Sequence, residues 1–256
     1  MSKLSEQVQN QLRVSDKLIA SAHTHVGKVA AALAGRSLKV QGEETKATAE
    51  AFEAVILASA DGLAKASADL RETEQILAAE KADDGPVRAA RDNATTSVAG
   101  LVMLLRSTVE DHLGSAALAT YGLGGETPRV PAKLVNHAQN VAQLLEQNPA
   151  QVTSAIGTSF DTKTAAQALK AKAAELAAHI KDDDREAREL ETALANRDRA
   201  AAAWSDAYQG TAATLEGLYR QAGWKELAEK VRPTQRKLRG EDAGADTEEA
   251  TPAGGG

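Results

Sequence analysis

Apolar and small residues at Val8, Leu12, Ser15, Ile19, Ala22, Val26, Val29 and Leu33 follow one another at spacings of 4-3-4-3-4-3-4. That period puts all of them on one stripe of a helix and predicts a helix over residues 2–34. Gly35 supplies a stop, and residues 35–45, which include Gly42, read as a loop. Residues 46–82 repeat the spacing with Phe52, Ile56, Ser59, Leu63, Ala66, Leu70, Thr73 and Leu77. Asp83-Asp84-Gly85-Pro86 then predicts a break, with Pro86 in the first turn of the next helix, where its missing N–H costs nothing. Over residues 86–121 the seam is Ala94, Val98, Leu101, Leu105, Thr108 and His112. Val102, Val109 and Leu113 widen it, as burial on more than one side requires.

Gly122, Gly124, Gly125, Pro128 and Pro131 predict a loop over 122–131. A short helix over 132–148 carries Leu134, Val135, Ala138, Val141, Ala142 and Leu145, and Pro149 ends it. One further turn is expected over 151–156 and a loop over 157–161. From 162 to 222 the pattern stays helical, with one seam at Leu169, Ala173, Leu176 and Ile180 and another from Leu190 through Trp204 and Tyr208 to Leu218. Between them residues 181–186 hold no apolar side chain. A continuous helix would be about 90 Å long, against about 50–55 Å for each preceding long segment. Length matching and the capping-box spacing of Asp183 and Glu186 therefore predict a turn or kink at 181–185. Gly223 ends the segment, residues 224–231 form a short last helix, and the acidic, Gly-rich stretch 240–256 reads as a disordered tail.

The long segments echo each other. Arg91-Asp92 recurs as Arg197-Asp198, and Val109-Glu110 as Leu215-Glu216, at an offset of about 106 residues. A duplication would give two helical hairpins packed face to face.

Composition sharpens the fold class. Ala takes 54 of 256 positions and aromatics only 3%. Small seam residues let helix axes approach closely but bury little area each, which favours long helices or self-association. The expected fold is all-α: an antiparallel bundle of long Ala-rich helices over 1–239, built as two helical hairpins plus an N-terminal helix and a short connecting helix. The net charge is −6, and Glu241, Asp242, Asp246, Glu248 and Glu249 of the tail carry most of it. A near-neutral body argues against nucleic acid as a partner.

Chemistry is sparse. With no Cys, thiolate metal sites, cysteine nucleophiles and disulfides are excluded. His23 and His25, two apart on a helix, point to opposite sides and cannot share a metal; Glu175 and His179 share a face. No Glu-x-x-His pair of the di-iron type is present. Gly122-Leu123-Gly124-Gly125-Glu126-Thr127 has glycines in number, yet it follows a helix and lacks the Gly-Lys-Ser/Thr ending of a phosphate loop. No nucleophile elbow occurs. Neither a catalytic residue, a metal nor a cofactor is nominated, and the chain reads as a non-enzyme.

The basic run Lys230, Arg232, Arg236, Lys237 and Arg239 reads as a solvated terminus beside an acidic neighbour. The longest apolar run, 98–105, is far short of the ~20 residues that span a bilayer. The first twenty residues have scattered charge and no apolar core, so cytoplasmic residence is expected. In composition the chain is similar to granule-coating phasins, being Ala-rich, Cys-free, helical and tailed, without a shared motif. That likeness implies peripheral binding to a membrane, lipid body or polymer granule. The leading expectation is a structural or protein-interaction bundle that binds itself or another helical protein. Its candidate interaction seam is Val8, Leu12, Ile19, Val26 and Leu33, completed in cis or by another chain. A metal or small-ligand bundle enzyme rests on the scattered histidines alone.

Overall fold

The structure is a computed structural model, and it describes residues 4–40, 43–153 and 157–239. The chain is all-α apart from two small hairpins. In order it forms α1 (Glu6–Leu33), β1 (Ser37–Val40), β2 (Glu43–Lys46), α2 (Ala49–Leu113), α3 (Ala117–Thr120), α4 (Pro131–Gln147), β3 (Gln151–Thr153), β4 (Ser159–Asp161), α5 (Thr162–Gln221), α6 (Lys225–Val231) and α7 (Gln235–Leu238). The tail expected at 240–256 lies outside the described residues.

Two expected breaks are helix instead. The loop placed at 83–86 is the middle of α2, which runs for 65 residues with Pro86 inside it. A proline in a helix interior removes one hydrogen bond and crowds the carbonyl four residues back. Here both Pro86 and Ala82 are exposed, so the freed carbonyl can turn to water. Arg88 and Asp84 bridge the same turn at 2.9 Å. The flanking stretches are each anchored in an apolar core, and that burial outweighs a local cost of about 3 kcal/mol. The turn placed at 181–185 is likewise absent, and α5 is continuous over 60 residues. No Gly or Pro interrupts 181–185, and two of its carboxylates are paired: Asp183 with Arg91 at 2.7 Å, Asp182 with Arg185 at 3.3 Å.

Two expected non-strand segments are strands. Residues 35–45 hold most of an antiparallel hairpin in which Ser37 pairs with Lys46 and Val40 with Glu43. The turn expected at 151–156 begins with β3, and the loop at 157–161 ends with β4, its partner, with Val152 opposite Phe160. Strands of three or four residues are too short to show a period of two. Backbone bonds between Gly35 and Ala47 and between Ala150 and Thr162 close the hairpins and hold the helices at their bases.

The chain divides into two compact units, one of residues up to Ala79 with those from Thr192, the other of Glu80–Glu191. In the first, α1 packs with the first half of α2 and the last half of α5. Its core includes Leu12, Leu18, Val29, Leu33, Ile56, Leu63, Leu70, Trp204, Tyr208, Leu215 and Tyr219. Thr211 donates to Ser59 O, and Arg197 lies 3.9 Å from Glu74, so α2 and α5 run antiparallel here. In the second, α4 packs with the last half of α2 and the first half of α5 around Val98, Val102, Leu105, Val109, Leu134, Val141, Leu145, Leu169 and Leu176.

The element order helix, hairpin, long helix occurs twice. Both long helices begin on a side-chain cap: Thr48 Oγ1 accepts from Ala51 N, and Asp161 Oδ1 from Lys163 N. The offset of about 106 links buried residues throughout, Leu63 to Leu169, Leu70 to Leu176, Val98 to Trp204 and Val109 to Leu215. The repeat unit is therefore one helix, a hairpin and a long helix, not a helical hairpin. Each long helix gives its first half to one unit and its second half to the other.

Candidate interaction surface

The seam Val8, Leu12, Ile19, Val26 and Leu33 is completed in cis. Val8, Leu12 and Leu33 are buried in the core of the first unit, and Ile19 and Val26 pack against it. Polar contacts fix the register of α1 on α5. Trp204 Nε1 donates to Ser15 Oγ at 2.8 Å, and the Tyr219 hydroxyl donates to Ser21 O at 3.1 Å. Burial pushes the Tyr219 phenol up, the bond to Ser21 offsetting part of that, which keeps it a donor.

The histidines are dispersed. His25 lies edge-on to Tyr219 and Trp224, with ring centroids 6.2 and 5.6 Å away. It lines an open cleft of about 480 Å³ with Gly223, Trp224, Lys225, Glu226, Leu227 and Lys230. His112 bonds Thr108 O and packs on Phe160. Glu175 is held below the usual carboxylate range by Lys172 first and to a smaller degree by His179. The carboxylates of Glu80, Glu186 and Glu189 converge, with Arg185 paired to the latter two. The basic run lies on α6, α7 and their flanks, where Lys237 Nζ donates to the carbonyls of Lys230 and Arg232.

The glycine-rich loop has the wrong polarity for a phosphate. Its carbonyls at Leu123 and Gly125 point at Arg106, which donates to both. The same guanidinium acts on His137, whose buried Nε2 has no hydrogen-bond partner. Burial first, and then the Arg106 charge, hold this imidazole below its ordinary value of 6.5. As pH falls through that value the unfolded chain takes up the proton before the folded one does. Stability is thus complete above it and declines as acid is added. The melting point should fall below pH 6.5, and His137→Gln should flatten part of that slope; an identical slope in the variant would show that other groups set it.

The exposed side of α2 carries an uncharged stripe. Ala82, Pro86, Ala89, Asn93, Thr96, Gly100, Met103 and Ser107 are all exposed, at spacings of 4-3-4-3-4-3-4, and none is charged. Leu104, beside them, is 63% exposed and Met103 57%. A Cβ placed on Gly100 would meet nothing within 4 Å, so the face is open there. The equivalent positions on α5 include Arg188, Arg199 and Asp206. No family model, curated protein or solved structure matches the chain. Among the described residues no helix is long and apolar enough to cross a membrane.

Sequence reasoning missed the stripe because it followed bulky apolar residues, and most of these positions are small. The available signal was the absence of charge at eight heptad-spaced positions in a chain that is 26% charged.

Proposed function

We propose that this chain is a non-catalytic helical-bundle protein that acts by binding another helical protein, copies of itself included. The observation that supports this reading is the exposed, uncharged, heptad-spaced stripe of α2. A solvated helix face ordinarily carries charge, and a 4-3 spacing suits a helix laid alongside. Exposed apolar residues grouped on one face mark interaction sites, whereas single ones need no explanation.

The test is sedimentation of the purified full chain across a wide concentration range, together with affinity capture and cross-linking from its own cell extract. Self-association or a cross-linked protein partner is expected, lost on Met103→Lys with Leu104→Lys while the melting point is kept. A chain that is monomeric and retains no protein overturns the reading. Flotation of the same chain with vesicles or polymer granules, lost in the same variant, would replace it with peripheral surface binding.

A further inference from the structure

We propose that the partner seated on this face of α2 is the same face of a second copy, running antiparallel and centred near Gly100. This rests on the reading of the chain as an interaction protein and names its partner.

The charges flanking the stripe carry the argument. Arg88 and Arg106 are about five turns apart, and so are Asp92 and Glu110, so each pair shares a direction and all four lie along one edge. Along the helix their signs read plus, minus, plus, minus. Reversing the helix about a point near residue 99 brings Arg88 opposite Glu110 and Asp92 opposite Arg106. Two-fold symmetry makes each of these pairs twice, so the edge is self-complementary, as an isologous interface requires. A parallel two-fold pair would instead place this edge on opposite sides of the contact in the two copies, so the four charges would not meet one another.

The present partners of these groups do not compete strongly. Arg88 is 57% exposed and holds Asp84 across one turn; Asp92 is 65% exposed and its carboxylate pairs with the adjacent Arg91. Exposed pairs of this kind contribute little. Arg106 donates to two neutral carbonyls, and among the described residues no carboxylate is paired with it.

Packing fits the same centre. Gly100 lies one residue from that centre, and its missing side chain lets the helices approach closely there. Met103 and Leu104 of each copy then fall between Asn93 and Thr96 of the other, which removes both from water. The stripe is about 39 Å long and a helix about 10 Å wide, so each copy covers roughly 400 Å². The total of roughly 800 Å² lies below the roughly 1,200–2,000 Å² of stable specific interfaces, so the pair should be a weak, reversible one.

The experiment uses the full chain in four forms: unaltered, Arg88→Glu, Glu110→Arg, and the two changes together. Sedimentation should show a concentration-dependent dimer. Each single reversal should weaken it roughly tenfold, since like charges then meet at two symmetric places. The double reversal should restore it, because the pairing is exchanged and retained. Circular dichroism melts confirm that every form is folded. A second measurement does not depend on charge. The chain has no Cys, so Gly100→Cys introduces a single thiol. It should form a disulfide dimer under mild oxidation faster than Gly62→Cys, an equally open glycine elsewhere on α2. A monomer at every concentration overturns self-docking, and the interaction reading stands if a different helical partner is cross-linked. A dimer indifferent to the charge exchange, or a Gly62→Cys form that links as fast, overturns this face and leaves self-association standing.

Discussion

Trp204→Ala should destabilise the chain by about 3–5 kcal/mol, read from chemical denaturation followed by circular dichroism. Trp204 is fully buried, and it is the largest side chain in the core that α1, α2 and α5 share. Its ring stacks on Tyr208, with centroids 5.4 Å apart and planes 15° from parallel. Its indole N–H is the donor to Ser15 Oγ, which itself donates to Gln11 O at 3.2 Å. Truncation to Ala opens a cavity where three helices meet, leaves Tyr208 without its stacking partner, and strips Ser15 of a buried donor. The neighbours are Ala-rich helices that can close only part of the space. Trp204→Phe separates these effects. It keeps most of the ring and removes the N–H, and should cost about 1–2 kcal/mol for the lost hydrogen bond. A loss under about 1 kcal/mol for the Ala variant would mean that the site collapses freely and that the three helices are not held by this ring.

The elements that could be read in the sequence were those whose signal is bulky and periodic. The heptad at Val8, Leu12, Val29 and Leu33 predicted α1 and its buried side, and the Trp204–Tyr208–Leu215 stripe predicted the inner face of α5. Of the seam over residues 86–121, Ala94, Val98 and Leu105 are buried, as are Val102 and Val109 that widen it, while Leu101 is half-buried. Errors came where local chemistry and long-range burial disagree. Gly85-Pro86 is a strong local break signal, yet α2 crosses it because the segments before and after are each fixed by their own core. The charged run 181–186 looked like a turn for want of apolar residues; a partner on α2, Arg91, keeps it helical. That partner is invisible until the pairing of α2 with α5 is known. The recurrence of Arg91 at Arg197 was visible, but the repeat it marks could not be delimited, since the hairpins that bound it span only three or four residues per strand. The stripe of α2 needed burial information: small uncharged residues read equally well as a buried or an exposed face.

Replacing Leu12 and Ile19 together with Asp should abolish the cooperative melt of the first unit as well as any self-association. Leu12 is buried beside Leu18, Val29 and Leu33, and Ile19 packs against the same cluster. A carboxylate at residue 12 loses the apolar burial of a leucine and must also leave water without a cation to meet it. The buried polar partners on this side of the helix, Gln11 and Ser15, are already bonded, to Leu238 O and to Trp204 and Gln11 O. Removing the leucine alone is a loss of about 2–5 kcal/mol, and an unpaired buried charge adds to it. Ile19→Asp alone should cost less, because a half-buried position lets the carboxylate reach solvent. Total stability for a chain of this size is about 5–15 kcal/mol, so the pair of changes removes most of it. Thermal melts and sedimentation on the same samples separate the alternatives. A variant that keeps its melt and loses only association would place the α1 seam between chains, contrary to the core it enters here. One that keeps both would make α1 a free arm. One that loses both holds α1 in the fold, leaving the exposed side of α2 as the surface on which a second helix has room to dock.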